Sequence, residues 1–157
     1  MKNIKTVLFL SLLLASFSTF ADSCKKVNER EVKALFTRWN DSLQTLDYKK
    51  VVKDNYATDS ILLPTVSNIP RTSVEGKEEY FHHFLEKHPT GEIIFSYITL
   101  GCNSAVDSGL YVFTFIGGEQ VTARYSFAYA WNGKKWLIVS HHSSVLPNQI
   151  EAQKYNM

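Results

Sequence analysis

Val121-Thr122-Ala123-Arg124-Tyr125-Ser126-Phe127-Ala128-Tyr129-Ala130-Trp131 alternates bulky and small side chains without a break. Successive side chains of a strand point to opposite faces. One face of this strand therefore carries Val121, Ala123, Tyr125, Phe127, Tyr129 and Trp131, and the other Thr122, Arg124, Ser126, Ala128 and Ala130. The second face is small and holds a single arginine, a pattern that suits the wall of a cavity.

The flanking sequence extends this strand into a sheet. Gly117-Gly118 and Asn132-Gly133 are tight-hairpin signals. They join strands expected at 105–116, 121–131 and 135–146 into an antiparallel meander, with a further strand at 92–100 before it. Upstream, Asn28 and Glu31 have capping-box spacing, and Val32, Leu35, Phe36, Trp39, Leu43 and Leu46 form one apolar stripe. A helix is expected over 29–46. A short second helix follows from an Asp47 cap to 55, then a strand at 60–63 and a loop, 64–71, punctuated by Pro64 and Pro70. A third helix is expected over 76–87, ended by Pro89 and Gly91. Helices first and a sheet later predict an α+β domain with helices on one sheet face.

The first 21 residues read as a cleavable secretory signal. Lys2 and Lys5 form the basic end, 7–14 (VLFLSLLL) the apolar run, and Thr19-Phe20-Ala21 the small-residue cleavage site. The run is short for a membrane span, and Ala21-Asp22-Ser23 before Cys24 lacks the leucine of a lipoprotein site. The expectation is a periplasmic or secreted domain over 22–157, without membrane attachment after cleavage. Hydrophobic residues at 45% and aromatics at 13% fit one packed globule. The net charge of +2 includes the signal lysines, and no basic cluster argues for nucleic acid. The chain has two cysteines, Cys24 and Cys102. In an oxidising compartment they are expected to form a bridge.

Leu35-Phe36 through Trp39-Asn40, 62–67 (LLPTVS), Gly101-Cys102-Asn103, Ala123-Arg124-Tyr125, and 133–139 (GKKWLIV) with the His141-His142-Ser143-Ser144 ending give a more specific signal. In this combination the chain resembles the NTF2-like (cystatin-like) superfold, and within it the association domain of calcium/calmodulin-dependent protein kinase II. The resemblance covers nearly the whole mature chain. It implies a cone: a curved antiparallel sheet packed on a long N-terminal helix and two shorter ones. It also implies self-association, as a homodimer or larger ring. It implies neither kinase activity nor calmodulin binding, and the chain has no glycine-rich nucleotide loop, HRD or DFG segment. No cofactor is expected.

The candidate site residues follow from residue type. Arg124, with Arg71 at the rim, is expected to hold a small carboxylate ligand by bidentate bonds; the alternative for Arg124 is an ion pair with Asp107 or Asp59. His142 is a ligand-binding residue or a general base, set against a hydrogen-bonded core or interface histidine. Asp107, inside a buried strand, is the other acid/base candidate. His82, His83 and His88 lack the i, i+4 histidine pair of a helical metal site, so no metal is expected. Two readings result. The first is an exported, self-assembling association-type domain with a small anionic ligand in its cone. The alternative is a cone-pocket enzyme of isomerase or hydrolase type using Asp107 or His142. An inhibitor or immunity protein is a third class.

Overall fold

The computed structural model describes residues 24–65 and 67–147. The expected signal segment, Val66 and the last ten residues lie outside the described residues. The element order is α1 (Glu29–Leu43), α2 (Tyr48–Asn55), β1 (Tyr56–Leu63), α3 (Val74–Leu85), β2 (Thr90–Leu100), β3 (Ser104–Thr114), β4 (Gln120–Trp131) and β5 (Trp136–Val145). Among the described residues no helix is long and apolar enough to cross a membrane.

The helix starts are set by caps. The Glu31 amide donates to Asn28 Oδ1 at 3.0 Å, and the Asn28 amide donates back to Glu31 Oε2 at 2.9 Å, completing the capping box. Asp47 caps α2 by accepting from the Lys50 amide at 3.0 Å. Ser73 caps α3 by accepting from the Gly76 amide at 3.0 Å, so this helix starts two residues before its expected position. α1 stops at Leu43, short of its expected end at 46. Leu46 takes the left-handed conformation, φ 56°, and turns the chain into the Asp47 cap.

The sheet order is β1-β5-β4-β3-β2. β2 to β5 run antiparallel to their neighbours, while β1 pairs with β5 in parallel. Three register shifts break the simple alternation: one in β1 between Tyr56 and Ile61, one in β2 between Ile93 and Phe95, and one opposite Ala128/Tyr129, where Tyr129 pairs with Ile138 but Ala128 pairs with Ser140. The extra residue there is Val139. A bulge of this kind bends its strand and exchanges the faces of every residue beyond it.

The aromatic face of β4 is the inner one. Tyr125, Phe127 and Tyr129 are buried against Phe36 and Trp39 of α1 and Tyr111 and Phe113 of β3. Phe127 lies 5.4 Å from Trp39 between ring centroids, edge to face. This overturns the expectation that the small face lines the cavity. Period two separates the faces but does not say which is inside. The decision falls to the apolar area, since each aromatic ring buries about 150–250 Å² and α1 supplies the matching stripe. Cys24 and Cys102 are disulfide-bonded, with Cα atoms 5.2 Å apart, and tie the lead into α1 to the β2–β3 turn. The Lys25 amide donates to Asn103 Oδ1 at 2.8 Å beside it.

Candidate functional site

A cavity of about 490 Å³ opens between α3, the loop after β1, and the inner faces of β3, β4 and β5. Phe84, Phe113 and Phe115 form an apolar wall. One set of polar groups comes from the β1–β5 side and the loop beside it, Thr65, Arg71, His141 and Ser143, with Tyr111 from β3; His83 of α3 and Lys87 after it, and Glu119 and Gln120 at the start of β4, also line the cavity.

His141 faces inward opposite Phe127, its ring stacked 4.1 Å away. The Tyr56 hydroxyl lies 2.8 Å from Nδ1 and receives the Trp39 indole N–H at 3.2 Å. An indole can only donate. The arrangement that leaves fewest buried groups unpaired has Tyr56 donating to Nδ1, with the imidazole proton on Nε2. That Nε2 is buried and has no partner among the described residues. Burial holds the His141 pKa down to about 3, so at neutral pH the ring is uncharged and its Nε2–H is an unspent donor in a residue that lines the cavity.

Two residues along, Ser143 accepts from the Tyr111 hydroxyl at 2.5 Å and shares a short hydrogen bond with Thr65. These hydroxyls carry three hydrogens, and the two bonds consume two of them. One hydrogen, on Thr65 or Ser143, is left to donate. Burial raises the Tyr111 pKa, which keeps its phenol protonated and the chain intact.

Arg71 is placed by an isolated antiparallel bridge to Leu62: its amide donates to the Leu62 carbonyl at 2.8 Å and its carbonyl accepts at 2.9 Å. Its Nη1 pairs with Glu79 Oε2 at 2.7 Å, and its Nε is buried without a partner among the described residues. Arg71 and His141 both line the cavity, and each keeps a buried nitrogen without a partner among the described residues, Arg71 Nε and His141 Nε2, while the Thr65–Ser143 pair keeps one unspent hydroxyl hydrogen. Backbone geometry and ring packing fix them before any ligand arrives, which is what recognition of a small oxyanion requires.

The expected site residues divide accordingly. Arg71 borders the cavity. Arg124 does not: it is exposed on the outer sheet face, where Nη2 donates to the Val145 carbonyl at 3.4 Å. It pairs with neither Asp107 nor Asp59. His142 is exposed on that same outer face opposite Ser126. The bulge at Val139 places His141 inside, on the face of Trp136 and Ile138, where unbroken alternation would place His142. Asp107 faces inward and is fully buried, but it does not line the cavity. Its Oδ1 accepts from Ser96 at 2.6 Å and Tyr125 at 3.0 Å, its Oδ2 has no partner, and burial raises its pKa. Sequence reasoning missed Thr65, Tyr111 and Ser143 as site residues. Thr65 and Ser143 stood inside the quoted segments, but nothing local joins residues 78 apart.

The family model of the calcium/calmodulin dependent protein kinase II association domain matches residues 28–147. The chain belongs to this family. The solved association-domain protein of Xanthomonas campestris is 47% identical, covering 78% of this chain and 90% of its own, with a TM-score of 0.73. The iota-carbonic anhydrase of a cyanobacterium, solved with bicarbonate, is 21% identical over 81% of this chain and 97% of its own, at a TM-score of 0.72. An NTF2-like protein of unknown function from Pseudomonas putida is 17% identical over 80% and 90%, at 0.66. The last two likenesses concern the fold, which is NTF2-like and cystatin-like. No curated protein matches the association domain described here.

Proposed function

We propose that the cavity binds bicarbonate and that the protein interconverts it with carbon dioxide. The observation that carries this is the hydroxyl chain Tyr111–Ser143–Thr65 beside the unpartnered His141 Nε2. It offers a spare hydroxyl hydrogen for a small oxyanion, next to an apolar wall that suits uncharged carbon dioxide. The likeness to a carbonic anhydrase solved with bicarbonate supports the reading.

In the hydration direction a water oxygen adds to the carbon. A C=O electron pair moves onto oxygen, and the water gives up one proton. The donors of His141 and the hydroxyl pair meet the developing oxyanion, the stabilisation that preorganised hydrogen bonds provide. Thr65 and Ser143 each donate and accept, so they relay the released proton toward the cavity mouth and solvent. His141 takes the donor role here, with Tyr56 fixing its tautomer.

The test has two arms. Bicarbonate binding is read by calorimetry, and carbon dioxide hydration by stopped-flow indicator assay. Thr65→Val and Ser143→Ala should each weaken binding by about 10–100-fold, since a hydrogen bond to a charged group is worth about 1.5–3 kcal/mol. Wild-type protein that binds no bicarbonate overturns the reading.

A second reading, compatible with the first, is self-assembly through the outer sheet face. Phe95 and Tyr97 there are 51% and 68% exposed, with Val106 at 39%. Ser108 of β3 and the small residues Ser126, Ala128 and Ala130 of β4 continue the same face, leaving room for a second copy to approach. A dimer on this face would leave the cavity, on the other side, open. The protein acts outside the cytoplasm on this proposal; N-terminal sequencing of exported material should begin at Asp22.

A further inference from the structure

We propose that His82, His83 and Glu86 form a binding site for a divalent transition metal ion of the zinc class, at the rim of the cavity. Successive residues of a helix lie about 100° apart, so His82 and His83 leave α3 on different sides. Glu86 comes four residues after His82 and about 40° round from it, in the gap between the two histidines. Its backbone is still helical, φ −57° and ψ −25°. The result is a three-ligand face that spacing between histidines alone does not reveal.

The distances support it. His82 Nδ1 lies 4.0 Å and His83 Nδ1 3.5 Å from Glu86 Oε1. All three ligand atoms fall within 4.8 Å of one another. A tetrahedral ion with bonds of about 2.0–2.2 Å needs its ligand atoms roughly 3.4 Å apart. The difference is within reach of side-chain rotation, because all three groups are more than half exposed. Imidazole and carboxylate are the ligand types zinc takes, and three of them leave the fourth position for water or an anion.

The surroundings hold the set together. The Tyr48 ring meets the His82 ring edge to face at 5.1 Å and limits its swing. Lys87 turns away from Glu86: its ammonium sits 5.6 Å from the Phe115 centroid. Among the described residues Glu86 pairs with no lysine or arginine, only with the two histidines. These are charged only when protonated, and a divalent ion would replace both protons as the carboxylate's partner. His83 also lines the cavity, which puts the ion at its entrance.

The experiment is a Zn²⁺ titration of tag-free mature protein, by calorimetry and by NMR of the histidine rings. One site per chain is expected, shifting the His82 and His83 resonances. His83→Ala and Glu86→Gln should each weaken binding roughly tenfold or more, a loss that even an outer-sphere partner can cause. His142→Ala, an exposed histidine elsewhere, should leave affinity unchanged. Absence of saturable binding, or wild-type affinity in either α3 variant, overturns the proposal. Thermal melts confirm that each variant is folded. The outcome is independent of whether bicarbonate binds.

Discussion

The Tyr56 hydroxyl sits 2.8 Å from Nδ1 of His141 and so fixes which imidazole nitrogen carries the proton. The burial of this histidine has a consequence for acid stability. His141 is held down to about 3 by burial, whereas an unfolded histidine titrates at about 6.5. Between these values the unfolded chain binds a proton that the native chain does not. Stability therefore falls as pH falls through this window, by up to about 1.4 kcal/mol per pH unit. Asp107 has the opposite sign: its pKa is raised by burial, so its contribution is lost as pH rises above the ordinary carboxylate range. His141→Phe should flatten the acid limb of urea midpoint against pH. An unchanged limb would show that His141 is not its source.

The inner and outer arginines should behave differently. Arg71→Leu removes a guanidinium that lines the cavity and should weaken bicarbonate binding about tenfold or more. Arg124→Leu, on the outer face, should leave the affinity as it is and change stability by less than about 0.5 kcal/mol. Calorimetry and melting on both variants compare them; a loss of affinity in Arg124→Leu would contradict the placement.

Gly109 should not tolerate a methyl group. A Cβ there would lie 1.9 Å from the Phe95 carbonyl oxygen and 2.8 Å from its carbon, at the register shift of β2. Both obstacles are backbone, so the strand must move. Gly109→Ala should cost more than about 3 kcal/mol, in the tail of single-substitution effects. Chemical denaturation measures it, and a near-neutral result would mean that the bulge relaxes freely.

The disulfide closes a long loop, with partners 78 residues apart. On the chain-entropy model such a closure is worth roughly 4 kcal/mol. Cys24→Ser with Cys102→Ser should lower the unfolding free energy by up to that amount. Labelling of denatured, unreduced protein should find no free thiol.

Self-assembly through the outer face predicts that Tyr97→Glu yields monomers. Sedimentation over a range of concentrations would read it, and wild-type protein that is monomeric throughout would refute assembly itself.

Elements with a local cause were legible in the sequence. The Asn28–Glu31 capping box and the Asp47 cap fixed two helix starts, the apolar stripe of α1 fixed its buried face, and Asn132-Gly133 fixed a hairpin. Together with the family resemblance they determined an α+β cone, because each signal acts between residues close in the chain. Two decisions belonged to the tertiary structure. Which face of β4 turns inward depends on the total aromatic area that α1 and β3 can cover. Which of His141 and His142 enters the cavity depends on one inserted residue, Val139, in the pairing of β5 with β4. A one-residue bulge leaves no mark on a local pattern and reverses every side chain beyond it. The site follows from that reversal, since it carries His141 to Tyr56 and Ser143 to Thr65 and Tyr111, partners 32 to 85 residues away.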